Sequence, residues 1–167
     1  ITSSIQGNYS DPGVGIISSA AYIEADAAKI KAALEPLLLL PELTADIEAF
    51  SLRHTKAKVG TIGFAWDLHN GIAIDILHKE ATLGFPEWKR KHEPILEVLR
   101  WFFETYQGKL IWHNCTYDIK VLIYVLYMKN LTDTEGLLNG LEVLTKSFDD
   151  TKVIAYLATN TCSENPL

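Results

Sequence analysis

The chain has 167 residues, 48% hydrophobic and 22% charged, which excludes the disordered and collagen-like classes and suffices for one globular core without disulfides or a structural metal. A net charge of -6 argues against gripping nucleic acid through a broad basic surface, but leaves open a site that holds a strand through divalent cations. Cys115 and Cys162 show neither metal-ligand spacing nor a paired framework, and Leu37 to Leu40 is far shorter than the roughly 20 residues of a membrane span, so a soluble cytoplasmic protein with no membrane partner is expected.

Residues 1 to 21, rich in Ser and Gly around the Asp11-Pro12-Gly13 turn signal, are expected to form a flexible leader or linker, and 22 to 167 one folded domain. Asp26 is a candidate N-cap for a helix carrying Ala27, Ile30, Ala33 and Leu34, with Pro36 and Pro41 bracketing its exit. Leu43 to Phe50 alternates apolar and polar residues and is expected to be the first strand. Val59 to Trp66 and Gly71 to Leu77, joined by Asp67-Leu68-His69-Asn70, predict an antiparallel hairpin. Glu80 to His92 reads as polar and irregular, with the basic cluster Lys89-Arg90-Lys91-His92 as a solvated loop. A helix is predicted from Glu93, with Pro94 in its first turn and an apolar stripe from Ile95 to Tyr106 that Gly108 ends. Lys109 to His113 predicts a short strand and Tyr117 to Tyr127 an apolar helix. The remainder is mostly helical, with a short strand near Lys146 to Phe148. This order predicts an α/β fold around a mixed sheet, with the Trp residues in core or half-core positions.

Asp46 and Glu48 lie two apart on a strand, so both carboxylates leave one face of the sheet and can converge. Like charges a few ångströms apart repel unless a cation sits between them, and hard oxygen donors suit Mg²⁺ or Mn²⁺. The spacing is not decisive by itself, since this composition yields about 0.6 Asp-x-Glu triplets by chance, and an edge strand with a solvated acidic face accounts equally well for the pair. A second triplet, Asp133-Thr134-Glu135, has no apolar strand around it and reads as a solvated loop or helix cap. Asn114 and Asp118, four apart where a strand runs into a helix, meet across the first helical turn. There the positive end of the helix favours the ionised carboxylate that a metal needs. The alternative is structural, with Asn114 capping the helix and Asp118 complementing its dipole. His113 reads as a hydrogen-bonded structural residue and Cys115 as a small packing residue.

In chain order, Asp46-Ile47-Glu48-Ala49-Phe50-Ser51-Leu52 on a strand, a hairpin, a helix, and then His113-Asn114-Cys115-Thr116-Tyr117-Asp118 resemble the first two motifs of DEDD-type 3′→5′ exonucleases. They are most similar to the proofreading domain of family A (DNA polymerase I type) DNA polymerases, including those of bacteriophages. Phe148-Asp149-Asp150-Thr151, followed by a helix through Ala155-Tyr156-Leu157, adds to the likeness. The resemblance implies a ribonuclease H-like mixed sheet flanked by helices, and two-metal hydrolysis, with Mg²⁺ or Mn²⁺, of the terminal phosphodiester at the 3′ end of single-stranded DNA. It assigns Asp46 as the carboxylate shared by both metals and Glu48 and Asp118 as ligands of one each. Leu52 is implied as the wedge against the terminal base, Asn114 as a sugar or backbone contact and Tyr117 as a further substrate contact. It also implies a polymerase domain C-terminal to this one. Ala49 stands where many relatives place a Thr. The family's third motif, Tyr or His followed four residues later by Asp, is not supplied after Asp150. The chain is therefore read as an excerpt that ends before that motif and is expected to hydrolyse little alone. A non-catalytic nucleic-acid-binding domain of the same fold and an RNA 3′-trimming nuclease are the competing readings.

Overall fold

The computed structural model describes residues 19–76 and 83–159. The chain enters on strand β1 (Ser19–Ile23) and helix α1 (Ala27–Leu34), where Asp26 is the expected cap and its Oδ1 accepts from the Lys29 N–H at 2.9 Å. A 3₁₀ turn at Glu35–Leu39 leads into β2 (Glu42–Ala49), and β3 (Val59–Ala65) and β4 (Asn70–Asp75) form the expected hairpin. Then follow α2 (Phe85–Thr105), β5 (Lys109–Trp112), α3 (Thr116–Leu122), α4 (Thr134–Thr145), β6 (Phe148–Asp150) and α5 (Thr151–Thr159).

The six strands make one mixed sheet in the order β1-β4-β3-β2-β5-β6. β3 runs antiparallel to β2 and β4, whereas β2 with β5, β5 with β6 and β1 with β4 are parallel. The period-2 alternation of β2 sends Leu43, Ala45 and Ile47 into the core and leaves Glu42, Thr44, Asp46 and Glu48 on the exposed side. On the core side, Phe64 of β3 meets α2 edge-on through Phe102, ring centroids 5.1 Å apart. On the other side Thr44, Asp46, Gly63, Ala65, Gly71 and Ala73 line a shallow apolar groove of about 250 Å³.

Four expectations need correction. Strand structure begins at Ser19, inside the segment read as a leader, so β2 is the second strand; residues 1–18 lie outside the described part. Helix α2 begins at Phe85 instead of Glu93. Buried Trp88 and His92 continue the stripe of Ile95 and Leu99 back towards the N-terminus, Pro86 occupies the first turn, and Pro94 sits inside the helix. The expected irregularity at residues 80–82 and the strand end at Leu77 fall outside the described residues. The basic cluster is accordingly not a loop: the Lys89 ammonium donates to the Met128 carbonyl at 2.6 Å and burial lowers its pKa. The helix expected through Tyr127 changes at Ile123–Tyr127 to a π turn, and Arg100, paired with Glu93 at 2.6 Å, donates to the Leu126 carbonyl at 2.8 Å. Trp88 and Trp112 are fully buried and Trp66 and Trp101 partly so, as expected. Asp133 is the cap its triplet predicted, accepting from Gly136 N–H and Lys129 N–H.

Candidate active site

Asp46 and Glu48 leave the exposed face of β2 towards its C-terminal end, where the register with β3 is broken between Glu48 and Ala49. The pairing of β2 with β5 ends at Thr44 and Ile111; Asp46, still paired with β3, and His113 each follow by two residues and so stand at one level. From β5 the backbone turns through Asn114, φ 60°, into α3, and Asp118 comes off its first turn.

Asp118 is only 6% exposed, and burial, followed by the charges of Asp46, Asp150 and Glu48, pushes its carboxyl up from 3.8 to about 7. This corrects the expectation that the helix terminus favours its ionised form. A first-turn dipole interaction contributes about 0.3–1 kcal/mol, whereas a rise to about 7 corresponds to about 4 kcal/mol against the charge. The same rise places Asp46, Glu48 and Asp118 in one electrostatic neighbourhood and adds Asp150 to it. Burial alone would raise the Asp150 carboxyl. The N–H groups of Asn114 and Cys115, the Cys115 thiol and the Lys152 N–H outweigh it and hold the group at about 2.

The remaining expected residues have defined places. The Tyr117 hydroxyl donates to the Ser51 carbonyl at 2.5 Å, tying α3 to the segment that carries Leu52. Leu52 itself is 93% exposed. Asn114 does not cap α3: the N-cap is Cys115, which makes no side-chain cap bond, and Asn114 instead supplies the left-handed residue of the turn. The His113 ring faces the Thr151 hydroxyl at 2.9 Å, a hydrogen-bonded residue as expected. Cys115 is a packing residue whose thiol is pushed up to about 11, by burial first and then by Asp150. Asp150 was missed as part of the site. The signal was an Asp-Thr pair ending a third parallel strand, as Asn114 follows β5.

Among the described residues, no three His, Cys, Asp or Glu side chains stand close enough to form a preformed metal group. In kind the donors fit a hard divalent cation. All are carboxylates, and Asp118 is a buried acid repelled by its neighbours, a condition that a bound cation relieves. Among the described residues no helix is long and apolar enough to cross a membrane.

This architecture, a mixed sheet with helices packed on it, is the ribonuclease H-like fold of DEDD-type 3′→5′ exonucleases. The RNase domain of the yeast Pop2 protein is similar at TM-score 0.59 and 11% identity, over 91% of this chain and 73% of that one. A nuclease solved in its apo form is similar at TM-score 0.53 and 13% identity, over 89% of this chain and 56% of that one. The EXO domain of Aedes aegypti Nibbler is similar at TM-score 0.50 and 12% identity, over 86% and 58%. Identities this low show the fold alone. The chain spans 24% of the length of the Escherichia coli RNase D chain it matches and about half of the apo nuclease. No protein-family model matches the chain, and no curated protein matches it in sequence.

Proposed function

We propose that this chain is a divalent-cation-dependent 3′→5′ exonuclease domain acting on the 3′ end of a single strand. The observation that carries the reading is the buried Asp118, raised to about 7 within a neighbourhood of Asp46, Asp150 and Glu48. A structural role gives no reason to bury an acid among acids, whereas a cation site does. Asp46, Glu48 and Asp118 are the proposed ligands. The chemistry a bound Mg²⁺ or Mn²⁺ supplies is activation of the attacking water and offset of charge at the scissile phosphate.

The protein's own contribution is placement. Asp46 and Glu48 ride on the hydrogen-bonded strand β2, and Asp118 rides on α3, which Tyr117 ties to Ser51. The exposed Leu52 is the proposed contact for a terminal base, and exposed Arg53, just before the 3₁₀ turn His54–Lys56 that packs against α3, and exposed Lys56 on that turn are a local source of positive charge for phosphates. The finer assignment, proofreading of single-stranded DNA next to a polymerase domain, draws its support from the spelling and order of the two motifs. A second reading, RNA as the trimmed strand, draws its support from the likeness to the RNase domain of Pop2.

Matched 5′-labelled DNA and RNA oligonucleotides incubated with the full chain and Mn²⁺ or Mg²⁺ test the proposal. Slow shortening from the 3′ end, in keeping with the absence of the third motif from these 167 residues, is expected and is abolished by Asp46→Ala and Asp118→Asn, and the preferred strand decides between the two substrates. Oligonucleotide binding without cation-dependent shortening would instead identify a non-catalytic binding domain.

A further inference from the structure

The turn between β5 and α3 is held from outside itself. Asn114 is the one non-glycine residue with a positive φ among those described. A left-handed residue here aims successive N–H groups, those of Asn114 and Cys115, at one point and forms a backbone concavity suited to an anion. The chain supplies that anion from 36 positions downstream of Asn114. Asp150 Oδ1 accepts from the Asn114 and Lys152 N–H groups and Oδ2 from the Cys115 N–H, each at 2.9 Å. Beside it, Thr151 Oγ1 donates to the Trp112 carbonyl at 3.1 Å and shares a hydrogen bond with His113 Nδ1 at 2.9 Å.

We propose that Asp150, assisted by Thr151, is a positioning residue of the carboxylate site, locking the left-handed turn and so fixing where Asp118 stands relative to Asp46 and Glu48. The inference rests on the cation-site reading above. Both Asp150 oxygens are committed to N–H groups, so it acts through the backbone and does not join the ligands. α3 has no side-chain cap of its own, and Asp118 lies three residues beyond Cys115, so the Asp150 bonds define the start of the element that carries the buried acid. Loss of an outer-shell partner of this kind typically costs 10–100-fold in metal affinity or activity.

The experiment compares the full chain with Asp150→Asn, which keeps the shape but replaces one acceptor with a donor, and with Asp150→Glu, which keeps the charge one methylene further out. Three quantities are measured: Mn²⁺ affinity by titration, the alkylation rate of Cys115 in a Cys162→Ser background, and kcat separately from KM on the oligonucleotide. For Asp150→Asn the expected result is Mn²⁺ affinity weaker by about tenfold or more, faster Cys115 alkylation and lower kcat at unchanged KM, with Asp150→Glu recovering part of each. Gly140→Ala, a strain on α4, leaves Mn²⁺ affinity at the wild-type value. A folded Asp150→Asn protein with wild-type Mn²⁺ affinity and wild-type Cys115 alkylation overturns the proposal, and if that variant does not fold, the same result for Asp150→Glu does so. Failure of the nuclease reading looks different: the wild type binds Mn²⁺, loses it with Asp118→Asn, and shortens no oligonucleotide.

Discussion

Replacing Asp118 with Asn should stabilise the metal-free protein, by an amount that grows with pH. Below about pH 4 the carboxyl is protonated in both the folded and the unfolded chain, so wild type and variant are similar. As pH rises from there, the unfolded chain releases its proton while the folded chain, with Asp118 raised to about 7, retains it, and the wild type loses stability. Above about pH 7 the full penalty stands. From 3.8 to about 7 it amounts to about 4 kcal/mol as an upper bound, because Asp46, Asp150 and Glu48 titrate in the same neighbourhood. For a chain of this size about 4 kcal/mol is roughly 8–16 °C in Tm. Urea and thermal denaturation of both proteins in EDTA between pH 4 and 8.5 give the gap directly, and Mn²⁺ should then raise the wild-type Tm and leave the variant unchanged. A gap that stays flat across this pH range would refute the claim that Asp118 is held as a buried, repelled acid.

Gly140→Ala should destabilise the fold although alanine favours an exposed helix by about 1 kcal/mol. A Cβ there would meet the Tyr127 ring at 2.8 Å, and such overpacking costs about 1–3 kcal/mol; increased stability on urea denaturation would show that the ring moves aside. In a Cys162→Ser background, Cys115, raised to about 11, should react with iodoacetamide at pH 8 roughly a hundredfold more slowly than an ordinary thiol near 8.5, measured by mass spectrometry; a rate equal to free cysteine contradicts its burial beside Asp150.

What could be read from the residues is what local pattern dictates. Alternation through Leu43, Ala45 and Ile47 marked β2 and put Asp46 and Glu48 on its other face, and the Asp26 cap and the β3–β4 hairpin are equally local signals. The start of α2 was hidden because Pro94 mimics a first-turn proline, while the true one, Pro86, is followed by a mostly charged run in which the buried stripe continues only through Trp88 and His92. β1 has no local signal either: a run of five residues becomes a strand only by pairing in parallel with β4, some fifty positions away. The charge state of Asp118 was misjudged for the same reason. The helix dipole belongs to its own turn, but the burial and the three acids that outweigh it come from tertiary packing.

The sheet topology explains why those acids meet. β2, β5 and β6 run the same way, so the ends that carry Glu48, the turn after Trp112, and Asp150 all fall on one edge of the sheet. β3, antiparallel to β2, brings its opposite end there and adds no acid. In a sheet with parallel strands, the edge beyond the carboxyl ends is where loops and helix starts gather and ligands bind. The arrangement concentrates negative charge, and the Lys109–Asp149 ion pair, 2.9 Å, uses the neighbouring acid of β6 at the other end of β5 and leaves Asp150 to the turn. Among the described residues no basic side chain forms an ion pair with Asp46, Glu48 or Asp118, so the charge gathered at this edge by three parallel strands is left for a bound cation to offset.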